Sequence, residues 1–423
     1  MAHPPQVPTP VLAPARERLL LWLLSFTQFT VIMDFMVMMP LGPQIMAAFS
    51  IGPAAFATAV SAYSWCAGLS GLFAATYIDR FNRKRLLLAV FALFTLSNLG
   101  CALATNFDLV LFARAFAGLT GGVLSAVVMA IVGDVIPIAR RGAAMGTLMT
   151  SFSMAAVGGV PVGIYLGANF GWQAPFWLLT VLSILIWLGA SRLVPSLAAH
   201  LANKPVPIAR ALPELYALLR TPGHVTALAM TALVMGSTML IVPFIAPTLV
   251  ANQGVHPEQL AWIYMAGGAA TLFTARAIGR LADRYGKQRV FRWVAGASVA
   301  PMLLVTHLPP LPVAAIVFSF VFFMVLVSGR GIPLQALQTA VPQASQRGAF
   351  LSVNAAIQSL ASGLGAWFGG LMIGVGPNGE LTGYGVNGWI AVALTALAIG
   401  WISRVQAAPA AHSPAAAPGN RAG

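Results

Sequence analysis

The sequence predicts an all-α membrane protein in which twelve transmembrane helices form two pseudo-symmetric six-helix bundles. Hydrophobic residue types make up 59% of the 423 residues and charged types only 8%, whereas soluble proteins carry about a quarter charged residues. Apolar runs of about 20 residues, each long enough to cross a bilayer as a helix, recur along the whole chain. Similar motifs follow corresponding runs in the two halves of the chain.

The apolar runs, bounded by charged residues or by Pro and Gly, define the predicted helices in order. They lie near 19–41, 54–77, 85–104, 108–133, 143–166 and 174–194, and then near 224–250, 259–281, 290–307, 312–338, 349–374 and 387–404. The longest polar stretch, 195–222, separates a bundle at 19–194 from a bundle at 223–404 and is a natural cytoplasmic linker. The tails, 1–18 and 405–423, contain segments rich in Pro and Ala and are expected to be disordered.

The formal net charge of +14 reflects membrane topology and does not indicate nucleic-acid binding. All Lys and Arg residues except Arg114, Arg276 and Arg330 fall in tails and loops on one predicted side of the membrane, and the opposite loops carry acids such as Asp108 and Glu258. The positive-inside rule places the basic side in the cytoplasm. Both termini are therefore predicted to be cytoplasmic, in a multi-pass protein surrounded by the lipid bilayer.

Two predicted cytoplasmic loops share an Asp-Arg step beside a basic cluster. One follows the second predicted helix (IDRFNRKR, Ile78–Arg85) and the other ends the eighth (GRLADRYGK, Gly279–Lys287). The second copy closely resembles the loop motif of the major facilitator superfamily, and within it of the 12-helix drug/proton antiporter group that includes sugar-efflux-like permeases. The resemblance covers nearly the whole chain. It implies a secondary transporter of the bacterial inner membrane.

The charges of these loops predict a latch at the cytoplasmic end of the bundle. An Asp at the inner end of a helix, beside an Arg on the next turn, forms charge-assisted hydrogen bonds with a neighbouring helix end, and these bonds break when the two halves move. Alternatively, the charges only set the topology. The residues assigned to the latch are Asp79, Arg80, Arg83, Asp134, Arg141, Gly279, Asp283, Arg284, Gly286 and Lys287.

Asp34 is the only acid well inside a predicted helix, and it lies at a similar depth to Arg114 of the fourth helix. Arg114 begins a segment, RAFAG, that resembles the Arg-x-x-x-Gly motif of the family, and the resemblance implies a part in proton transfer. An arginine inside a membrane helix costs about 2.5 kcal/mol or more, so it normally faces a cavity or a partner. We therefore expect Asp34 and Arg114 to pair and to couple transport to protons. A fixed structural ion pair is the alternative.

Polar side chains inside other predicted helices are candidates for the substrate cavity. Arg330 interrupts the tenth helix between two glycines, and we expect it to contact substrate or to respond to the acid of the first helix. Gln28, Asn354 and Gln358 are further candidates, and the last two share one helix face at i and i+4. Interhelical hydrogen bonding is the alternative for these three. Met38 is expected to give the cavity a pliable apolar wall, although methionine is also a common core residue.

The fifth predicted helix contains the sequence GGVPVG (Gly158–Gly163), which resembles a degenerate form of the antiporter motif of the family. Small residues let helices approach closely, and a proline permits bending. Gly159, Pro161 and Gly163 therefore form a predicted hinge, with ordinary close packing as the equally open alternative.

The sequence predicts a secondary active transporter that works by alternating access and exports a small organic compound, drug-like or sugar-like, in exchange for protons. The alternative is a facilitator or a proton-coupled importer of a sugar or metabolite. A self-contained ATP-driven pump is not expected, because the sequence has no P-loop, and an enzyme is not expected, because it has no His-Glu-x-x-His arrangement. We expect no metal and no cofactor, and a monomer, since one chain contains both halves. Substrate identity, direction and proton stoichiometry stay open.

Overall fold

In a computed structural model of the chain, the described residues are 13–137, 140–198, 201, 217–343 and 346–406. Most of both predicted tails and most of the predicted linker lie outside these ranges, and their disorder stays a prediction. The predicted N-terminal tail extends too far along the chain, because the first helix begins at Pro14. Its first turn carries Glu17, which pairs with Arg140, and this contact fixes residues that hydropathy alone assigns to a tail.

The helices of the N-terminal half follow the six predicted spans. The bent pair α2 and α3, at 119° to each other, provides the second span, and α6 and α7 are joined through a π-helical turn, Ala155–Gly159. The helices are α1 (Pro14–Met38), α2 (Gly42–Phe49), α3 (Pro53–Tyr77), α4 (Arg83–Ala102), α5 (Phe107–Val135), α6 (Arg141–Met154), α7 (Val160–Phe170) and α8 (Ala174–Leu193).

The C-terminal half repeats this plan with two interrupted spans. A 3-10 turn, Val242–Phe244, joins α9 to α10, and Arg330 stands alone between α13 and α14. A short antiparallel hairpin pairs β1 (Gly374–Val375) with β2 (Leu381–Thr382). The helices are α9 (Pro222–Met239), α10 (Ile245–Gln253), α11 (Pro257–Tyr285), α12 (Lys287–Thr306), α13 (Val313–Gly329), α14 (Gly331–Gln338), α15 (Arg347–Leu371) and α16 (Tyr384–Trp401).

All twelve predicted spans are helical. In the described part of the chain, nine helical segments are long and apolar enough to cross a membrane, and the bent pair α2–α3 makes a tenth. The other two, α11 and α12, have 29 and 20 residues. They carry Arg and Lys on the turns where they adjoin, which lowers their mean hydropathy without shortening them.

The two halves meet along two helix pairs, α3 with α15 and α7 with α11. Glycines allow the close approach, since a side chain at Gly370 would overlap Ala57. Within the same interface, the Ser61 hydroxyl donates a hydrogen bond of 2.8 Å to the Gly363 carbonyl. Small residues thus let α3 and α15 pack closely where the halves meet.

Among the described residues, one buried apolar cluster is shared by both halves, and it lies at one end of the molecule. The largest buried cluster of the described residues combines Ile45 and Phe56 with Phe244 and Ile245. The opposite end carries the loops around 78–85 and 284–289, and we call it the basic end. There the N-terminal half and the C-terminal half each bury a cluster of their own, while the partly buried Leu72 of α3 packs against the C-terminal cluster. The halves are therefore packed most tightly away from the basic end.

Close packing of α5 on α3 predicts a local effect on stability. A methyl group at Gly118 would overlap the main-chain carbonyl of Tyr63, whereas one at Gly146, on the exposed face of α6, meets no atom within 4 Å. Gly118→Ala should therefore lower the free energy of unfolding by about 1–3 kcal/mol through overpacking. Gly146→Ala should leave it unchanged or raise it, because alanine favours helices. Thermal unfolding of the two purified variants in one detergent provides the measurement, and equal unfolding midpoints would contradict the prediction.

Candidate functional site

The candidate functional site is a buried ion pair between the first and fourth spans. Nη1 of Arg114 on α5 donates to Oδ1 of Asp34 on α1 at 2.6 Å. Both side chains are almost wholly shielded from solvent, with exposed fractions of 1% and 0%. The contact expected from their similar depth is therefore present in the structure.

An aromatic wall holds the arginine of this pair in place. The guanidinium carbon of Arg114 lies 4.4 Å from the ring centre of Tyr63, a cation–π distance. The same ring stacks on Phe35 at 5.3 Å, and its hydroxyl donates to the Val31 carbonyl at 3.4 Å. Gly118, one turn along α5 from Arg114, leaves room for the Tyr63 backbone. The sequence analysis missed Tyr63, because an aromatic residue in an apolar helix carries no distinguishing pattern.

Only some of the buried polar atoms of the ion pair form hydrogen bonds with described residues. None of the described residues bonds to Oδ2 of Asp34 or to Nε and Nη2 of Arg114, although these atoms are buried. A purely structural buried pair is expected to use its remaining donors and acceptors, because each unmet one carries a desolvation cost. The open carboxylate oxygen is therefore a position where a proton could be added.

The predicted latch residues of the first half form a cluster around Arg83. Its Nε donates to Oδ2 of Asp134 at 2.8 Å, its Nη2 to Oδ1 of Asp79 at 2.6 Å, and its Nη1 to the Ile78 carbonyl at 2.8 Å. Arg83 is buried, with an exposed fraction of 3%. This cluster ties the ends of α3, α4 and α5 together, and all three helices belong to the N-terminal half.

The other arginines near this end have different surroundings. Arg141 donates to the Ile136 and Gly133 carbonyls at the end of α5, and Arg80 is exposed. Arg140 pairs with Glu17 at 2.9 Å. We did not predict that pair, because Glu17 was assigned to a disordered tail.

The second copy of the loop motif forms no ion pair with any described residue. Asp283 and Arg284 are exposed, and none of the four ion pairs formed between described residues involves the C-terminal half. Arg284 instead lies over the Tyr285 ring at 5.3 Å. Gly286 ends α11 with φ +90°, a conformation that favours glycine, and Gly279 and Lys287 are half-buried.

Two of the cavity candidates form hydrogen bonds with side chains of neighbouring helices. Gln28 donates to the Ser125 hydroxyl at 3.3 Å, while its carbonyl oxygen has no partner among the described residues. Asn354 accepts from Thr231 and donates to Gln338 at 3.2 Å. Interhelical hydrogen bonding, the alternative role, thus occupies both side chains.

The remaining cavity candidates have contrasting environments. Gln358 is half-buried on α15. Met38 has an exposed fraction of 1% and belongs to the core that joins the halves. Met38 is thus covered by core side chains in this conformation, and the expectation that it lines the cavity stays a prediction. Arg330 is fully buried in the C-terminal half, and none of its hydrogen bonds reaches Asp34.

The predicted hinge is a site of close packing beside an irregular turn. A side chain at Gly163 would overlap Val37, and one at Gly159 would lie 3.1 Å from the Met33 sulfur. Gly159 also ends the π-helical turn, and Pro161 follows inside α7. The close packing on α1 is present, and the hinge role stays a prediction.

Two pseudo-repeated six-helix halves with buried charges define a polytopic membrane transporter. Residues 24–366 and 227–422 match the sequence profile of the Major Facilitator Superfamily. The chain belongs to this family, as the loop motif predicted.

Three comparisons illustrate the range of its relatives. Over 345 residues the chain is 25% identical to a probable sugar efflux transporter of Mannheimia succiniciproducens, covering 81% of this chain and 82% of that protein. Over 244 residues it is 29% identical to a chloramphenicol resistance protein of Streptomyces lividans, covering 56% and 60%. An inward-facing structure of a bacterial homolog to the human lysosomal transporter Spinster has a TM-score of 0.73 at 18% identity, covering 94% and 100%. That structural likeness establishes the fold.

The burial of the ion pair predicts strong coupling between its members. Asp34→Asn should lower the free energy of unfolding by about 3–5 kcal/mol, because it leaves a buried guanidinium without a counter-ion. Adding Arg114→Gln should restore much of this loss, so that a double-mutant cycle gives a large coupling energy. The control is Glu17→Gln, whose partner Arg140 is half-exposed and whose effect should stay below about 1 kcal/mol. Additive effects of the Asp34 and Arg114 substitutions in chemical unfolding would contradict the assignment.

Proposed function

We propose that the protein is a proton-coupled antiporter that exports a small organic compound by alternating access. The observation that carries this proposal is the buried Asp34–Arg114 pair, in which one carboxylate oxygen accepts no hydrogen bond from any described residue. Within the described spans no other acid lies deep in a helix. An ionisable group at this depth is a functional candidate by default, because its burial is costly.

The proposed coupling step is a competition between a proton and Arg114 for the same carboxylate. Ionised Asp34 attracts the guanidinium strongly, since the surroundings have a low dielectric constant. Protonation removes that attraction and leaves Arg114 without a counter-ion, so the protonated half has a different preferred arrangement. One proton moving through 100 mV supplies about 2.3 kcal/mol, which is enough to drive export of a second solute.

Alternating access is supported by the uneven packing of the two halves. Their shared core lies at the end opposite the basic loops, and the ion pairs of the described residues at the basic end stay within the N-terminal half. Such packing is expected of a conformation closed at one end and open at the other. Export is supported by the names of the relatives, which include probable sugar efflux transporters and a chloramphenicol resistance protein.

The test of proton coupling uses proteoliposomes with an acidic lumen and labelled chloramphenicol or a panel of labelled sugars outside. The wild-type protein should accumulate its substrate as protons leave. Asp34→Asn should lose this gradient-driven accumulation because its side chain cannot exchange a proton, yet it should retain substrate counterflow at equal pH. Glu17→Gln, an acid substitution near the end of the bundle, should behave as the wild type.

Undiminished accumulation by Asp34→Asn would reject Asp34 as the proton carrier. The direction of flux distinguishes export from the facilitator or importer alternative. In everted membrane vesicles an acidic lumen should drive accumulation of substrate by the exporter. Accumulation in right-side-out vesicles only, driven by an acidic exterior, would instead favour an importer.

The cluster around Arg83 is proposed to hold three helix ends together while the halves move. Arg83→Gln removes the bonds to both Asp79 and Asp134 and should reduce the turnover rate by about tenfold, the effect of losing roughly 1.4 kcal/mol from a step of the cycle. Arg80→Gln provides the matched control, because Arg80 is exposed, and it should stay within about twofold of the wild type. The measurement is the initial rate of counterflow at a saturating substrate concentration. Equal rates for the two variants would show that the charges serve topology alone.

A further inference from the structure

Arg330 is a buried cation whose hydrogen-bond partners are all uncharged. Its Nη1 donates to the Thr395 hydroxyl at 2.8 Å, and its Nη2 donates to the hydroxyls of Ser237 at 2.9 Å and Thr238 at 2.8 Å. The Met302 sulfur lies 4.0 Å from Nη1, and Nε has no partner among the described residues. The side chain has an exposed fraction of 0%.

No acid in the described part of the C-terminal half balances this charge. Glu258 lies in the first turn of α11, Asp283 in its last turns, and Glu380 in the β-hairpin. None of them forms an ion pair with Arg330. A buried charge without a counter-ion is strongly unfavourable. The described residues leave the positive charge of Arg330 without one.

The pseudo-repeat shows where the missing acid would be. In the N-terminal half Asp34 lies six residues before Pro40, and in the C-terminal half Ser237 lies six residues before Pro243. Each proline follows the first long helix of its half. An arginine from the fourth span of each half bonds to this position, as a carboxylate in the first half and as a hydroxyl in the second. The C-terminal half therefore bonds an arginine to a hydroxyl where the N-terminal half bonds one to an acid, although the two arginines lie at different positions along their spans.

The helices around Arg330 are interrupted at the same place. Arg330 itself separates α13 from α14, and α9 ends at Met239, directly after the two hydroxyl residues. Pro301 lies inside α12 beside Met302. In secondary transporters, substrate and ion sites are typically formed by such discontinuous helices near the membrane midplane. The breaks are also positions where the helices can move to admit a ligand that this sealed conformation excludes.

We propose that Arg330 binds the carboxylate of a hydroxylated organic anion, of the sugar-acid class, which is the transported substrate. The inference rests on the proposed transport function and assigns its substrate class. The hydroxyls of Ser237, Thr238 and Thr395 now donate to main-chain carbonyls of their own helices. Each can rotate to donate to an anion or to accept from a substrate hydroxyl. The ligand would supply in this half the negative charge that Asp34 supplies in the other.

Binding is tested on the purified full chain in detergent, without a pH gradient, so that the result does not depend on proton coupling. The probes are sodium D-gluconate and D-glucose, with ionic strength balanced by sodium methanesulfonate and with sodium chloride as a further anion. Gluconate should raise the thermal unfolding midpoint, with an apparent affinity at least about tenfold higher than that of glucose, because loss of a buried charge contact costs that much or more.

Variants identify the residue responsible. Arg330→Gln should abolish the gluconate-induced shift, whereas Arg276→Gln, which removes an exposed arginine of α11, should retain it. Ser237→Asp is an independent test that can be used even if Arg330→Gln does not fold. It supplies an internal counter-ion for Arg330 at the position equivalent to Asp34. It should raise the unfolding midpoint of the free protein and remove the effect of gluconate.

Three results would overturn the inference. They are an equal shift with glucose, an equal shift with chloride, and a gluconate shift that survives in both Arg330→Gln and Ser237→Asp. The inference would also be rejected if gluconate did not raise the unfolding midpoint of the wild-type protein. The highest gluconate concentration tested equals that of the sodium methanesulfonate used to balance ionic strength. If gluconate binds as expected and exchanges across proteoliposomes at equal pH but is not accumulated by a proton gradient, the substrate assignment holds and the proposed proton coupling fails, so the two failures are distinguishable.

Discussion

Water is absent from the hydrocarbon core of a bilayer, so a charged side chain inside a membrane helix has to find its partner within the protein. This constraint shapes the N-terminal half, where Asp34 and Arg114 neutralise each other beside the Tyr63 ring. Glycine at position 118 is part of the same arrangement, because α5 has to approach α3 closely for the pair to be covered. The close helix packing and the buried charges therefore depend on each other.

The two halves solve this constraint differently, although they share one fold. The first half contains its own counter-ion, so its net buried charge is zero as long as Asp34 is ionised. The second half surrounds Arg330 with hydroxyl groups and supplies no carboxylate. In the proposed cycle, a proton changes the charge balance of the first half and a bound anion changes that of the second. In this proposed cycle, protonation of the first half and anion binding to the second half would each act separately on the movement of the two halves.

Hydropathy predicted the fold well, because long apolar runs are a property of local sequence. It also predicted the depth of Asp34 and Arg114, since helix rise converts residue number into position. It did not predict the packing of Met38 or the Thr231–Gln338–Asn354 hydrogen bonds. Membrane helices are apolar on every face, so periodicity does not show which face is inward. The correspondence between Ser237 and Asp34 was accessible only through the register of the repeats, which requires the paired helices to be known.

Helix α5 offers a physical link between the two charged clusters of the first half. It runs without a break from Phe107 to Val135, and it carries Arg114 near one end and Asp134 near the other. Their separation of twenty positions corresponds to about 30 Å at 1.5 Å per residue. An unbroken helix transmits a tilt or shift along its whole length, whereas the spans containing α6 and α7, α9 and α10, or α13 and α14 can absorb it at their interruptions. A rearrangement of the Asp34–Arg114 pair would therefore reach the Arg83 cluster directly through α5, and the interrupted helices of the other half would adapt to it.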